Sequence, residues 1–129
     1  MSNIKDTIVR KVQTWQGVTV APHRFGGIEF QVNNREIGHL HGDYQADIPF
    51  TARVRKQLVE SGKASPHHIY PNSGWISFYI HGVEDVSLLL ELLRMNYDRL
   101  TKNLTFPVKS QKACSQRILE KVQYIRYSS

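Results

Sequence analysis

The sequence has little of several features that mark specialised classes of protein. It contains a single cysteine in 129 residues, too few for an internal disulfide or for a zinc site built from several thiolates. Its longest near-apolar run, from Val86 to Leu93, is far shorter than the roughly 20 residues needed to cross a bilayer. The sequence therefore predicts neither a disulfide-stabilised module nor a transmembrane span, and it contains no evident repeat or low-complexity segment.

What is present is the composition of an ordinary globular domain. Hydrophobic residues make up 40% of the chain and charged residues 22%, and a chain of this length forms one hydrophobic core. The first residues, from Met1 to Asp6, are polar and lack the basic-then-apolar pattern of a secretory signal. With Cys114 as the only thiol, this predicts a cytoplasmic protein.

The net charge of +6 is unevenly distributed along the chain. Residues 102–129 contain six basic residues and one acidic residue, which accounts for +5, and the preceding 101 residues are almost neutral. We therefore expect two parts, a domain over residues 1–104 and a basic extension over residues 105–129. Apolar residues at helical spacing predict an amphipathic helix from Ser110 to about Tyr127, with residues 109–127 available to a nucleic acid or an acidic protein.

Hydrophobic periodicity predicts an α+β fold with a largely antiparallel sheet, helices on one face and the order α-β-β-β-α-β-α-α. Asn3 is expected to cap the first helix and Thr51 the second. The dipeptide Asn33-Asn34 predicts a hairpin turn, since asparagine tolerates left-handed dihedrals. The segment from Ser65 to Gly74 is predicted to be a loop. The aromatic residues Trp75, Phe78 and Tyr79 in the strand that follows are expected to belong to the core.

The main candidate for chemistry is the stretch from Gly38 to Asp43. In an extended strand, residues two positions apart point to the same face, so His39 and His41 present two imidazoles together. Paired histidines bind divalent transition metals. A third ligand is sought among Asp43, Asp47, His67 and His68, and three protein ligands with one open position are typical of a catalytic metal.

Two other interpretations of these histidines stay open. They can form hydrogen bonds within the strand and loop and have no further role. Alternatively, they line a polar pocket without a metal, where a histidine beside a carboxylate acts as an acid or base near neutral pH. The pocket residues predicted on this interpretation are Arg35, His39, His41, Asp43, Asp47, His67 and His68.

Several ordered motifs also resemble one family. They are Pro22-His23-Arg24-Phe25-Gly26-Gly27, Arg35-Glu36-Ile37-Gly38-His39-Leu40-His41-Gly42-Asp43, Ala46-Asp47-Ile48-Pro49-Phe50, Pro66-His67-His68 and Ser73-Gly74-Trp75. Over about residues 10–100 the chain resembles the small proteins labelled luciferase-domain. The label implies no luciferase activity, because flavin-dependent bacterial luciferases are (β/α)₈ barrels of about 250 residues. More weakly, the strand at Gly74-Trp75 and the helix ending near Asn96 are similar to the MmcQ/YjbR-like fold, whose members have been suggested to bind DNA.

Three functions follow from the sequence. The first is a small-ligand-binding or regulatory domain that uses the polar pocket. The second is binding of a nucleic acid or protein through the basic C-terminal segment. The third is a metal-dependent enzyme in which His39 and His41 hold the ion.

Overall fold

The computed structural model of the chain describes residues 3–23, 26–67, 69 and 73–103. These residues form three helices and six strands, with a short 3₁₀ turn before the last helix. The helices are α1 (Ile4–Gln13), α2 (Ala52–Glu60) and α3 (Val86–Thr101). The strands are β1 (Val18–Pro22), β2 (Ile28–Val32), β3 (Arg35–His41), β4 (Gln45–Pro49), β5 (Ser65–Pro66) and β6 (Trp75–Tyr79).

The six strands form one sheet in the order β1-β2-β3-β4-β6-β5, and each neighbouring pair is antiparallel. Four strands that follow one another along the chain therefore lie side by side. Asn33 and Asn34, both with positive φ, form the turn between β2 and β3. The predicted α+β class and this hairpin are confirmed.

Two strands were not predicted. β4 occupies a segment in which we expected only the approach to a helix, and β5 lies in the predicted loop from Ser65 to Gly74. In β4, buried Ala46 and Ile48 alternate with Gln45 and Asp47, but a buried aspartate conceals that alternation in the sequence. β5 is two residues long, which is too short for any periodicity to be visible.

The beginnings of α1 and α2 are capped as predicted. The side chain of Asn3 accepts a hydrogen bond from the Asp6 amide, and the hydroxyl of Thr51 accepts one from the Val54 amide. Each cap satisfies a backbone donor that the first turn of a helix leaves without a partner. α3, the longest helix, follows the turn Val83–Asp85.

The hydrophobic core lies between one face of the sheet and the helices α1 and α3. The fully buried core side chains include Ile8 and Val12 of α1, Leu89, Leu92 and Leu93 of α3, and Phe30, Leu40, Ile48 and Ile76 of the sheet. Because side chains alternate across a strand, packing Leu40 and Ile48 in this core directs His39, His41 and Asp47 to the opposite face. The core therefore positions the polar residues of the sheet.

A β-bulge changes this alternation within β3. Phe30 of β2 is opposite Gly38, whereas the next residue, Gln31, is opposite Glu36, so Ile37 is an extra residue. A bulge leaves backbone groups out of the ladder, and here the side chain of Asn96 in α3 donates a hydrogen bond to the Ile37 carbonyl over 2.8 Å. Glu36 and His39, three positions apart, consequently lie on the same face.

Replacing Asn96 with alanine is expected to lower the free energy of unfolding by about 2 kcal/mol, because a buried carbonyl loses its partner. Asn96 is fully buried and also accepts a hydrogen bond from Arg99. Urea denaturation measures the loss. Met95→Ala, at an exposed neighbouring position, is the control, and an equal loss in both variants would contradict this role for Asn96.

None of the helices in the described ranges has both the length and the apolar character of a membrane span.

Three predictions made from the sequence concern residues outside the described ranges. They are the C-terminal helix from Ser110 to Tyr127, the boundary between residues 104 and 105, and the position of His68.

Candidate functional site

The polar face of the sheet has its functional groups on the central strands. The register aligns His39 of β3 with Asp47 of β4, and Asp47 with Ser77 of β6. His41 is aligned with Gln45 one step further along the same face. Backbone pairing alone therefore places these five side chains together.

Three imidazoles converge on one oxygen of Asp47. The Oδ2 atom lies 3.0 Å from Nε2 of His41, 3.2 Å from Nε2 of His39 and 3.6 Å from Nε2 of His67. Asp47, His39 and His67 are buried, whereas 23% of the His41 side chain is exposed. We call Asp47 and these three histidines the Asp47 cluster.

The other oxygen of Asp47 is held by two donors. Ser77 donates its hydroxyl to Oδ1 over 2.7 Å, and the Gln45 side-chain amide donates to the same atom over 3.0 Å. Burial raises the pKa of the Asp47 carboxyl, but hydrogen bonds from His39, Ser77, Gln45 and His41 outweigh this and hold the pKa far below its ordinary value. Asp47 is therefore a fixed negative charge at neutral pH.

His39 lies between two carboxylates. Its Nδ1 atom is 2.6 Å from Oε2 of Glu36, and its Nε2 atom faces Asp47. Burial lowers the pKa of His39, but hydrogen bonds to Asp47 and Glu36, together with the charges of both carboxylates, raise it to about 9. His39 is thus an imidazolium that donates to a carboxylate on each side.

His67 has a defined tautomer. Its Nδ1 atom accepts a hydrogen bond from the Ile69 amide over 3.1 Å, so the proton of the neutral ring is on Nε2, the atom that faces Asp47. The ring lies against half-buried Trp75, with centroids 5.7 Å apart, and Trp75 also lies 5.6 Å from His39. His67 therefore presents an N–H group to the cluster.

His23, which follows β1 directly, lies against the Asp47 cluster. Its ring is stacked on His39 with centroids 3.9 Å apart, and its Nε2 atom lies 3.8 Å from a carboxylate oxygen of Glu29. Burial lowers the pKa of His23, and repulsion by His39 lowers it further against the opposing effect of Glu36 and Glu29. His23 is therefore a neutral ring beside a charged one.

Two groups of side chains in the described part of the chain have the spacing needed to hold a metal ion. One consists of His39, His41 and Asp47, and the other of His23, Glu36 and His39. In each group the ligand atoms lie within 4.8 Å of one another. His39 belongs to both groups, since its Nδ1 atom faces Glu36 and its Nε2 atom faces Asp47.

The structure brings together His39, His41, Asp47 and His67 of the predicted pocket and separates two other residues from them. Asp43 is exposed in the β3–β4 turn, where its carboxylate accepts a hydrogen bond from the Lys5 amide of α1. Arg35 is exposed and lies near Arg99 of α3, whose pKa is lowered by burial and by repulsion from Arg35. Within the described part of the chain, neither side chain is hydrogen-bonded or ion-paired to the cluster.

Sequence reasoning missed several residues of the site. Glu36 was overlooked because it is three positions from His39, which in a regular strand puts the two on opposite faces, and only the bulge brings both to one face. His23 stands in the Pro22-to-Gly27 motif that indicated the family, which was a usable signal. The aromatic residues of β6 were assigned to the core, which is correct for buried Phe78 and wrong for Tyr79, 42% of which is exposed.

Comparison with known proteins identifies the central part of the chain. Residues 34–96 match the family model described as the Luciferase domain, and this confirms the family predicted from the motifs. The matched segment is shorter than the predicted residues 10–100. It contains the whole Asp47 cluster and Glu36, but not His23. No curated protein and no solved structure matches the chain, and the similarity to the MmcQ/YjbR-like fold is not shown.

Proposed function

We propose that this chain, with its luciferase domain at residues 34–96, binds a small, positively charged ligand at the Asp47 cluster. The observation that supports this most strongly is the convergence of three imidazole nitrogens on one oxygen of a buried aspartate. Burying ionised groups costs free energy, because they lose their hydration. Hydrophobic residues of similar size could fill the same space without that cost. Groups of titratable residues with strongly shifted pKa values are therefore concentrated at functional sites.

The charges around the cluster favour a cation over an anion. Glu29, Glu36 and Asp47 contribute three carboxylates. The imidazolium of His39, which stays protonated because its pKa is raised, balances one of these negative charges. Among the residues that the structure describes, no lysine or arginine forms an ion pair with any of the three carboxylates. An excess of negative charge in a partly desolvated site attracts cations.

His41 provides the approach from solvent. It is the most exposed member of the cluster, with 23% of its side chain accessible compared with 7% for His39 and for His67. A ligand that reaches Nε2 of His41 is also close to Oδ2 of Asp47, because these two atoms are 3.0 Å apart. The partly exposed ring and the buried carboxylate can therefore act on the same ligand.

Asp47→Asn is expected to abolish the stabilisation that cationic ligands give to the protein. Asparagine keeps the size of the side chain and can still accept from Ser77 and Gln45, but it removes the negative charge. Thermal unfolding of the metal-free protein is measured with amines, guanidines and divalent metal ions, and with acetate and phosphate as anionic compounds. At 100 times its Kd, a ligand stabilises the wild type by about 2.7 kcal/mol.

Asp43→Asn is the matched control, because it makes the same chemical change at an exposed turn outside the cluster. It is expected to keep the full response to cations. If anions stabilise the protein better than cations do, or if both variants lose the response equally, the proposal fails.

The basic C-terminal segment supports a second candidate function. Residues 102–129 carry +5 of the net charge of +6, and such a concentration of charge favours nucleic acids or acidic proteins. Replacing Lys109, Lys112, Arg117 and Lys121 with glutamine in the full chain is expected to weaken binding to a fluorescent DNA duplex. It should also reduce the salt dependence of that binding. Equal binding by both proteins at low and high salt would contradict this function.

A further inference from the structure

We infer that the cationic ligand of the Asp47 cluster is a divalent transition-metal ion held by His39, His41 and Asp47. This inference rests on the proposed function and goes beyond it, because an organic amine would also satisfy the charge of the site. The donor atoms and their orientation distinguish the two. An ammonium group needs acceptors spread around its hydrogens, whereas a metal ion needs lone pairs directed at one point.

The spacing of the donor atoms is that of ligands around a single ion. Zinc lies about 2.0–2.1 Å from nitrogen and oxygen ligands, so two ligands of a tetrahedral site are separated by about 3.4 Å. Oδ2 of Asp47 is 3.2 Å from Nε2 of His39 and 3.0 Å from Nε2 of His41. Movements of a few tenths of an ångström would admit an ion between these atoms.

The residues behind the ligands hold them in the orientation that a metal requires. Glu36 accepts from Nδ1 of His39 over 2.6 Å, which leaves Nε2 as the ligand atom once it gives up its proton. A carboxylate behind a ligating histidine is a frequent feature of metal sites. For Asp47, Ser77 and Gln45 occupy Oδ1, so Oδ2 is left for the ion.

The second group with suitable spacing, His23, Glu36 and His39, is not suited to hold the ion. A metal binds an imidazole in the plane of the ring, and the rings of His23 and His39 are stacked with an angle of 21° between their planes. Two stacked rings cannot both direct in-plane lone pairs at one ion. In addition, the 2.6 Å contact between Glu36 and His39 leaves no room for a metal between them.

Two histidines and one carboxylate leave coordination positions open. His67 lies beside them, but its Nδ1 atom accepts from the Ile69 amide and its Nε2 atom carries the proton, so it is a hydrogen-bond donor and not a ligand. An N–H group 3.6 Å from the Asp47 oxygen is placed to bind a molecule that occupies an open position. Sites with three protein ligands and an open position are typical of catalytic metals.

The test is titration of full-length, untagged, chelator-treated protein with Zn²⁺ by calorimetry, and with Co²⁺ by visible absorption. One ion should bind per chain, and the Co²⁺ spectrum should show coordination by nitrogen and oxygen. His41→Ala, at a partly exposed position, removes a ligand and should weaken binding more than about 100-fold, the upper limit for losing a residue that only supports a ligand. Glu36→Gln, which acts through His39, should weaken it about 10-fold.

Two further variants separate the alternatives. His81→Ala removes an exposed histidine outside the cluster and should bind Zn²⁺ as the wild type does. His67→Gln should retain one ion per chain.

The inference is overturned if Zn²⁺ does not bind, or if it binds equally well to the His41→Ala protein. If Zn²⁺ fails while amines stabilise the protein in an Asp47-dependent way, the proposed function survives without the metal. If neither metals nor amines bind, both fail.

Discussion

Gly27→Ala is expected to destabilise the folded protein by at least about 3 kcal/mol, the range of large backbone and overpacking effects. A Cβ atom at residue 27 would lie 2.0 Å from the carbonyl oxygen of Leu40, a backbone atom that cannot move without displacing β3. Residue 27 also has a positive φ of 87°. Since Leu40 lies between His39 and His41, any shift that relieves the clash disturbs the site as well. Chemical denaturation measures the loss of stability.

Gly26→Ala separates the two causes. Gly26 has a similar φ of 94°, but apart from its chain neighbours no described residue has an atom within 4 Å of the Cβ that alanine would add. It should lose about 1 kcal/mol, the cost of placing an L-residue in a left-handed conformation. The difference in unfolding free energy between the two variants measures the cost of the steric clash at residue 27, where the β1–β2 loop approaches β3 closely. Equal losses would mean that this approach carries no energetic weight.

The metal-free protein is expected to lose about 2–3 kcal/mol of stability between pH 6 and pH 9 through His39, because a pKa unit corresponds to about 1.4 kcal/mol. Folding raises the pKa of His39 from 6.5 to about 9, so the folded state binds the proton more tightly than the unfolded state. The stabilisation is complete below pH 6.5 and is lost as the pH rises towards 9. Urea denaturation at pH 6, 7.5 and 9 with a chelator present measures this loss.

Asp47 limits stability from the acidic side. Its pKa is lowered by folding, so its contribution is complete above the ordinary pKa of an aspartate and is lost as the pH falls further. Between about pH 4 and pH 6.5 both groups stabilise the fold.

Glu36→Gln tests the origin of the alkaline loss. It removes one of the two carboxylates that raise the pKa of His39, so stability should fall less between pH 6 and pH 9. His39→Gln should remove this part of the pH dependence altogether. A wild-type protein equally stable at pH 6 and pH 9, or a Glu36→Gln protein with an unchanged slope, would show that the two carboxylates do not hold His39 in its charged form.

Local patterns were sufficient for much of the fold. The caps at Asn3 and Thr51 and the turn at Asn33-Asn34 depend on residues within a few positions of one another. The alternation of apolar and polar residues from Ile28 to Val32 is likewise a local pattern, and it is typical of a strand with one buried face. These features specify which elements form, and they made the α+β class predictable.

The site was predictable in part for the same reason. His39 and His41 share a face because strand geometry alone requires it, and Asp47 was a candidate through its nearness in sequence. Arg35 and Asp43 are also close to the two histidines in the sequence. In the structure, however, Arg35 lies near Arg99 of α3, and Asp43 accepts a hydrogen bond from the Lys5 amide of α1. Distance along the chain does not reveal which way a side chain points at the end of a strand or in a turn.

The sequence by itself determined the helices α1, α2 and α3, the main hairpin, the pair of histidines on one strand and the family. Only the tertiary structure decided which carboxylates His39 and His41 contact. Strand pairing aligned His39 with Asp47 and Ser77, thirty residues apart in the chain, and the bulge at Ile37 turned Glu36 to the same face. Register and bulges depend on how whole strands pack against a core and a partner helix, and a site that spans several strands is fixed only when that packing is complete.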